Sequence, residues 1–194
     1  MKNCPNCGRP ITFEEKYTKV LACPYCNSIL EFGEGELTKI GEQGYFIEFP
    51  SQFEVGKNIN FAGKDIYIKG QLRFEYDGGF FDEFFVEIEG KGYYLREDDG
   101  QISFLDEAKT EKSEVSLVDK IAGENFEYKG QKFYIEEVGI FKLVNLKGFI
   151  ATKLTIGKEY EYLIGIFQGK KYIFEKESGN NFLRIIREIK SFNK

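Results

Sequence analysis

All four cysteines of this chain fall within its first 26 residues, as Cys4-Pro-Asn-Cys7 and, fifteen residues later, Cys23-Pro-Tyr-Cys26. Two residues between cysteines let a tight knuckle aim both sulfurs at one point about 2.3 Å from each, and two knuckles supply four thiolates to one tetrahedral ion. Gly8 and Asn27 follow the knuckles, and both residue types tolerate the left-handed backbone such a turn needs. Ile11 and Phe13, then Val20 to Ala22, read as two short strands, with Ile29, Leu30 and Phe32 as a third. The pattern predicts a zinc ribbon over residues 1–33, with one structural zinc per chain on Cys4, Cys7, Cys23 and Cys26.

A segment this short buries too little apolar surface to fold alone, because chains below roughly 40 residues usually need a metal or disulfides. Zinc binding contributes on the order of 10–16 kcal/mol in small peptides, enough to fix the fold. The competing readings are disulfides, which suit an exported chain, and a redox dithiol, which belongs beside a βαβ pattern that is missing here. Iron held by the same four sulfurs is the alternative metal. Four thiolates close the coordination shell, so the reading includes no metal-activated water.

Other chemistry is narrowed by what the chain lacks. It contains no histidine, which removes imidazole bases, Ser-His and Cys-His nucleophiles and His-ligated metals. No phosphate-binding loop, nucleophile elbow or dinucleotide fingerprint is present. The polar start MKNCPNCGRP does not read as a signal peptide, and no apolar run approaches the roughly 18–20 residues that span a bilayer. The expectation is a cytoplasmic chain without membrane insertion. Its net charge of −5 argues against a large polyanion as partner. Residues 1–30 carry +2 and the remainder −7, so nucleic acid is not the expected ligand, and Tyr25 is the sole aromatic to nominate for it.

At 194 residues there is room for one domain with an attachment, or two small ones. Residues 34–52 read as a connector with one short alternating strand, Tyr45-Ile47-Phe49, stopped by Pro50. Beyond it lies an internal repeat. Gly56 to Ile68 aligns without gaps on Gly123 to Ile135, a shift of 67, with five of thirteen positions identical. Gly90 to Gly100 matches Gly169 to Gly179 at a shift of 79, so twelve extra residues lie inside the second copy.

Each copy reads as β. Ile66, Ile68, Gly70, Leu72, Phe74 and Tyr76 alternate with Tyr67, Lys69, Gln71, Arg73 and Glu75, the period of a half-buried strand. A Gly63 turn joins it to Ile59 and Phe61 as a hairpin over 57–76, and Gly130 repeats the device. The second alternation slips near Glu137 to Gly139, which predicts a bulge. Further strands are expected at 80–89, 92–97, 149–156, 159–167 and 170–176. Residues 105–121 read as a short helix, and the tail from Asn181 as a helix or an edge strand, with Phe182, Ile185, Ile186 and Ile189 at helical spacing. The expected fold is therefore mainly β: a ribbon followed by a duplicated module of two related small antiparallel sheets or barrels. Its divisions are 1–33, the connector 34–52, one repeat at 53–107, a linker at 108–117 and a second repeat at 118–194.

The arrangement resembles the bacterial proteins grouped as domain of unknown function 4178, in the form with an N-terminal zinc ribbon. The residues that carry the likeness are Gly56, Phe61, Gly63 and Tyr67, then Phe81, Glu83, Phe84 and Val86, then Tyr94-Leu95, and the match spans about residues 53 to 190. That family places Trp before the acid–aromatic pair and again in the next strand, whereas Phe or Tyr stands at both places here. The resemblance implies no known activity. Similar proteins sit beside genes for aminopropyltransferase-like enzymes and membrane-stress components, which implies an accessory role.

Two further features bear on function. In Phe80-Phe81-Asp82-Glu83-Phe84-Phe85, a strand puts aromatics on both faces. Burial between the repeats is the first explanation, and a protein-binding patch at Phe81 and Phe85 is the functional one. Tyr67 and Tyr134 pose the same choice between cross-strand packing and recognition. Carboxylates cluster at Glu97, Asp98 and Asp99 and at Glu175 and Glu177, where ordinary turn chemistry competes with acid–base catalysis. The reading is a non-catalytic protein with a protein partner.

Overall fold

The computed structural model describes residues 1–44, 51–61 and 63–192, with the backbone alone at 106–109 and 187–192. Every regular element among the described residues is a β-strand. The ribbon comprises β1 (Lys2–Asn3), β2 (Pro10–Ile11), β3 (Val20–Ala22), β4 (Ser28–Gly33) and β5 (Glu36–Glu42). β1 pairs with β2, and β3, β4 and β5 form an antiparallel meander. The ribbon thus extends through Glu42, into the stretch expected to be connector. The expected strand at Tyr45-Ile47-Phe49 lies outside the described residues.

The first repeat supplies β6 (Asn58–Phe61), β7 (Lys64–Tyr76), β8 (Gly79–Ile88), β9 (Lys91–Asp98) and β10 (Gln101–Lys112). The second supplies β11 (Asn125–Tyr128), β12 (Gln131–Ile150), β13 (Glu159–Phe167), β14 (Lys170–Glu177) and β15 (Phe182–Phe192). Within each copy, four successive long strands form an antiparallel meander. β7 then pairs with β12 and β10 with β15, which closes the eight strands into a ring. The halves share one barrel, and an eight-stranded barrel is just wide enough for side chains to fill.

Equivalent strands pair antiparallel, so an approximate twofold axis relates the halves. Glu75 sits opposite Lys142, the residue 67 further on, and Glu107 opposite Ile186, the residue 79 further on. Hydrogen bonds repeat with the same offset. The Gly56 amide donates to the Ile68 carbonyl (2.8 Å), as the Gly123 amide does to that of Ile135 (2.9 Å).

The bulges repeat too. Lys69 is the extra residue between Ile68 and Gly70, and Glu136, 67 on, is the extra residue between Ile135 and Glu137. Each bulge turns the following residues to the opposite face. The unbroken alternation from Ile66 to Tyr76 therefore serves two cores. Ile66 and Ile68 pack on the outer face with Phe53, Phe84, Val86 and Ile88. Leu72 and Phe74 face inward with Phe81, Phe85, Phe141, Leu143 and Tyr160. Lys69, Gln71 and Arg73, expected on a polar face, are buried. Arg73 grips Asp82 with two nitrogens (2.8 and 2.6 Å), and Gln71 donates to the same carboxylate (2.9 Å).

Both expected helices are corrected. β10 continues through Lys112, so the linker starts after it instead of at 108. β15 lies between β14 and β10 and is neither helix nor sheet edge. Its two faces are both covered: Arg184 and Ile186 are buried on one, and Leu183 on the other, with Ile185 packed beside it. Covering both faces removes the period-two signal and leaves apolar residues at spacings that mimic a helix. The strand expected at 149–156 stops at Ile150, and residues 151–158 return across the barrel end with Leu154 buried.

Candidate metal centre

The two knuckles have the same backbone pattern. The Cys4 amide donates to the Arg9 carbonyl (2.8 Å) and the Gly8 amide to that of Cys4 (2.9 Å). In the second, the Cys23 amide donates to Ser28 (2.8 Å) and the Asn27 amide to Cys23 (3.0 Å). Gly8 and Asn27 hold φ of 74° and 57°, the left-handed region expected of them. The Cys4 and Cys26 Sγ atoms are 3.8 Å apart, as are those of Cys7 and Cys23, and all four lie within 4.8 Å of one another. Four sulfurs about 2.3 Å from one ion stand about 3.8 Å apart in a regular tetrahedron. The cluster has the donors and the dimensions to hold a metal ion, and all four cysteines are free thiols.

Neighbouring groups favour a thiolate at Cys26. Ser28 Oγ lies 3.3 Å and Asn6 Nδ2 3.6 Å from Cys26 Sγ. The Ser28 hydroxyl and amide, with the Asn6 amide, bring the Cys26 thiol down to about 5. Burial pushes the Cys23 thiol up to about 12, so its ionisation calls for a nearby cation. Behind the sulfurs, Ile11, Leu21 and Leu30 form a small core with Cys4 and Cys23, and Phe13 meets Phe32 edge-on at 5.1 Å.

The alternation that turns Leu21 and Leu30 toward the cysteines turns Val20 and Ile29 the other way, into the barrel core. β3 continues the barrel sheet by pairing Leu21 with Phe149 and Val20 with Ile150. The Tyr17 hydroxyl donates to the Gly90 carbonyl (2.7 Å), and Lys69, at the first bulge, bonds Glu14 of the ribbon (2.8 Å) and Glu87 of β8 (2.7 Å). Gly70 and Gly148 face each other where β7 crosses β12. A Cβ on Gly70 would stand 2.2 Å from the Phe149 carbonyl oxygen, and one on Gly148 2.3 Å from that of Lys69.

Phe81 and Phe85 do not form a partner surface. They are 6% and 2% exposed because they face the barrel interior, where Phe81 stacks on Phe74 (4.9 Å) and Phe85 meets Tyr94 (5.3 Å). Tyr67 and Tyr134 sit at equivalent positions and are both exposed. The turn carboxylates also divide. Glu97 and Asp98 end β9, but Glu175 lies deep inside the barrel.

Glu175 belongs to a buried charge chain that the sequence reading missed. Arg96 bonds Glu83 (2.6 Å) across neighbouring strands and Glu175 (2.9 Å) across the barrel, and Glu175 bonds Arg184 (3.0 Å). Arg96 and Glu175 are repeat equivalents, 79 residues apart, and they meet near the twofold axis. The Arg96 guanidinium lies over the Phe81 ring at 4.5 Å. Burial raises the Glu175 carboxyl above its ordinary value, with Arg184 and Arg96 opposing that shift. The available signal was a charge sharing parity with aromatics, as in Phe81-x-Glu83-x-Phe85. Two acids and two bases balance in charge here, while Glu83 Oε2 is buried without a hydrogen-bond partner among the described residues.

At the end remote from the ribbon, Tyr76 donates to Asp98 (3.3 Å) and Tyr162 to Glu137. Among the described residues no helix is long and apolar enough to cross a membrane. Comparison with protein-family models, with curated proteins and with solved structures finds no match in any of the three.

Proposed function

We propose that the chain is a non-catalytic interaction or accessory protein of the cytoplasm, built as a structural zinc ribbon fixed to a duplicated β-barrel. The observation that carries this reading is the set of sulfur separations, 3.8 Å within each cross-knuckle pair, which fits a four-thiolate tetrahedron. Cys4, Cys7, Cys23 and Cys26 would hold one zinc, and the ion would supply folding energy to a segment with a very small core of its own. Among the described residues, the buried charges of Glu83, Arg96, Glu175 and Arg184 balance one another, which favours the surface as the working part. The likeness to domain of unknown function 4178 adds an accessory role and no activity.

Elemental analysis with X-ray absorption on the purified chain tests the metal reading. One zinc with four sulfur neighbours near 2.3 Å supports it, whereas iron or an oxygen ligand overturns it. Affinity capture from the native cell extract tests the rest: a protein partner that survives high salt supports the reading. The second reading, nucleic-acid binding, draws on Arg9 lying 5.0 Å over the exposed ring of Tyr25 at the knuckle surface. It requires binding that weakens steeply with salt and is lost in a Lys16→Ala/Lys19→Ala variant.

A further inference from the structure

We propose that the ribbon is a metal-dependent lid on the barrel, so that loss of the ion from Cys4, Cys7, Cys23 and Cys26 uncovers one end of the barrel core. The inference rests on the zinc reading and goes beyond it, from a local fold to a coupling between two parts of the chain.

The ribbon's short sheet β3–β4 uses both of its faces. Leu21 and Leu30 bury against the cysteines, while Val20 and Ile29, one residue before each, are fully buried in the core shared by both repeats. One pair of strands therefore closes two cores, and loosening it opens both. The ribbon is also stitched to the barrel by hydrogen bonds outside the cysteine cluster. The Lys19 amide donates to Ile150 (2.8 Å), the Gln43 side chain to the Leu146 carbonyl (2.8 Å), and the Asn145 side chain to the Gly44 carbonyl (3.0 Å). Lys69, 6% exposed, depends on Glu14 of the ribbon for one of its two carboxylate partners. Withdrawing Glu14 leaves a buried ammonium half-compensated, which adds to the cost of parting.

The twofold axis points the same way. Between equivalent residues Glu75/Lys142 and Phe80/Glu159, the first copy has four residues and the second sixteen. The longer segment carries Leu146, Ile150 and Leu154, which are buried in the same core as Val20 and Ile29. The extra chain is the platform on which the ribbon sits. Coupling of this kind is reciprocal: the factor by which the ion favours the closed barrel end is the factor by which the closed end raises the ion's affinity, so a change that opens the end lowers apparent affinity.

Amide hydrogen exchange on the full-length zinc-loaded chain, before and after a competing chelator, reads the coupling directly. Residues 20–33 and 143–150 are expected to lose protection together, by tenfold or more, while 133–135 and 163–166 change far less. Loosening of 20–33 with 143–150 unchanged would overturn the lid and leave the zinc reading intact. A ribbon that keeps its protection after the metal is removed would defeat both. Zinc affinity measured by competition with a chromophoric chelator supplies the reverse test. Ile150→Ala, in the barrel core and outside the cysteine cluster, should weaken apparent affinity about tenfold, whereas Leu163→Ala, in the outer core of the second repeat, should leave it unchanged. Equal affinity in Ile150→Ala and the wild type would overturn the proposal.

Discussion

The two copies of the repeat carry the same bulge, the same glycine turns and the same order of strands, yet they build unlike ends of one barrel. The first copy turns from β7 to β8 at Asp77-Gly78. The second runs β12 on to Ile150 before returning, and there the ribbon finds a strand to pair with. At the other end, Tyr76, Asp98, Glu137 and Tyr162 form a polar rim. Duplication makes the barrel symmetric, and one insertion gives it a capped end and a polar end.

The largest break in that comparison comes from the metal. Cys23→Ser should abolish stoichiometric zinc and unfold residues 1–33, since the lost binding energy is on the order of 10 kcal/mol. Elemental analysis and amide NMR read it, and a folded apo ribbon would refute it. Next comes the strand crossing. Gly70→Val should cost more than about 4 kcal/mol, because its Cβ meets the Phe149 backbone at 2.2 Å, which cannot rotate away. Its repeat equivalent is Glu137, exposed at the polar end, where Glu137→Val should stay within about 1 kcal/mol. Equal losses by urea denaturation would show that the two ends are not built differently.

The same contrast explains what could be read in the sequence. The cysteine spacing, the repeat and most strands were legible because each rests on local spacing. The closing pairs β7–β12 and β10–β15 join residues far apart in the chain and leave no local mark. The bulge at Lys69 hid a change of face, because a single inserted residue restores the same parity pattern on the opposite side. Phe81 and Phe85 were ambiguous for a related reason: both faces of β8 are covered, so aromatics on each face say nothing about a partner. Glu175 read as a turn carboxylate because nothing near it in the chain announces that its partner Arg96 lies across a barrel.

Two intermediate effects sharpen the symmetry. Phe81→Ala should cost roughly 3–5 kcal/mol as a buried ring in the shared core, and by urea denaturation an effect below about 1 kcal/mol would remove Phe81 from it. Gly63 and Gly130 hold φ of 75° and 73°, and at both the space a Cβ would enter is open, with nothing within 4 Å. Ala at either should cost about 1–2 kcal/mol of backbone strain, and the two losses should match. A clear inequality would show that the hairpins are not equivalent.

The smallest effect probes the polar end through pH. Burial raises the Asp98 carboxyl above its ordinary value, with Arg96 and the Tyr76 hydroxyl opposing and Glu137 and Asp99 adding to the shift. The folded protein therefore holds this proton more tightly than the unfolded chain. Above the folded pKa the ionised carboxylate costs stability. That cost fades as pH falls through the folded pKa toward the unfolded one, and it vanishes when both states are protonated. Asp98→Asn removes the charge and keeps an acceptor for Tyr76, so it should raise Tm slightly at pH 7, by less than about 1 kcal/mol in stability. The gain should shrink on acidification into the carboxylate range. A variant less stable than wild type at pH 7 would mean that Arg96 and Tyr76 outweigh burial there, and the polar rim would then act as a second clasp on the barrel.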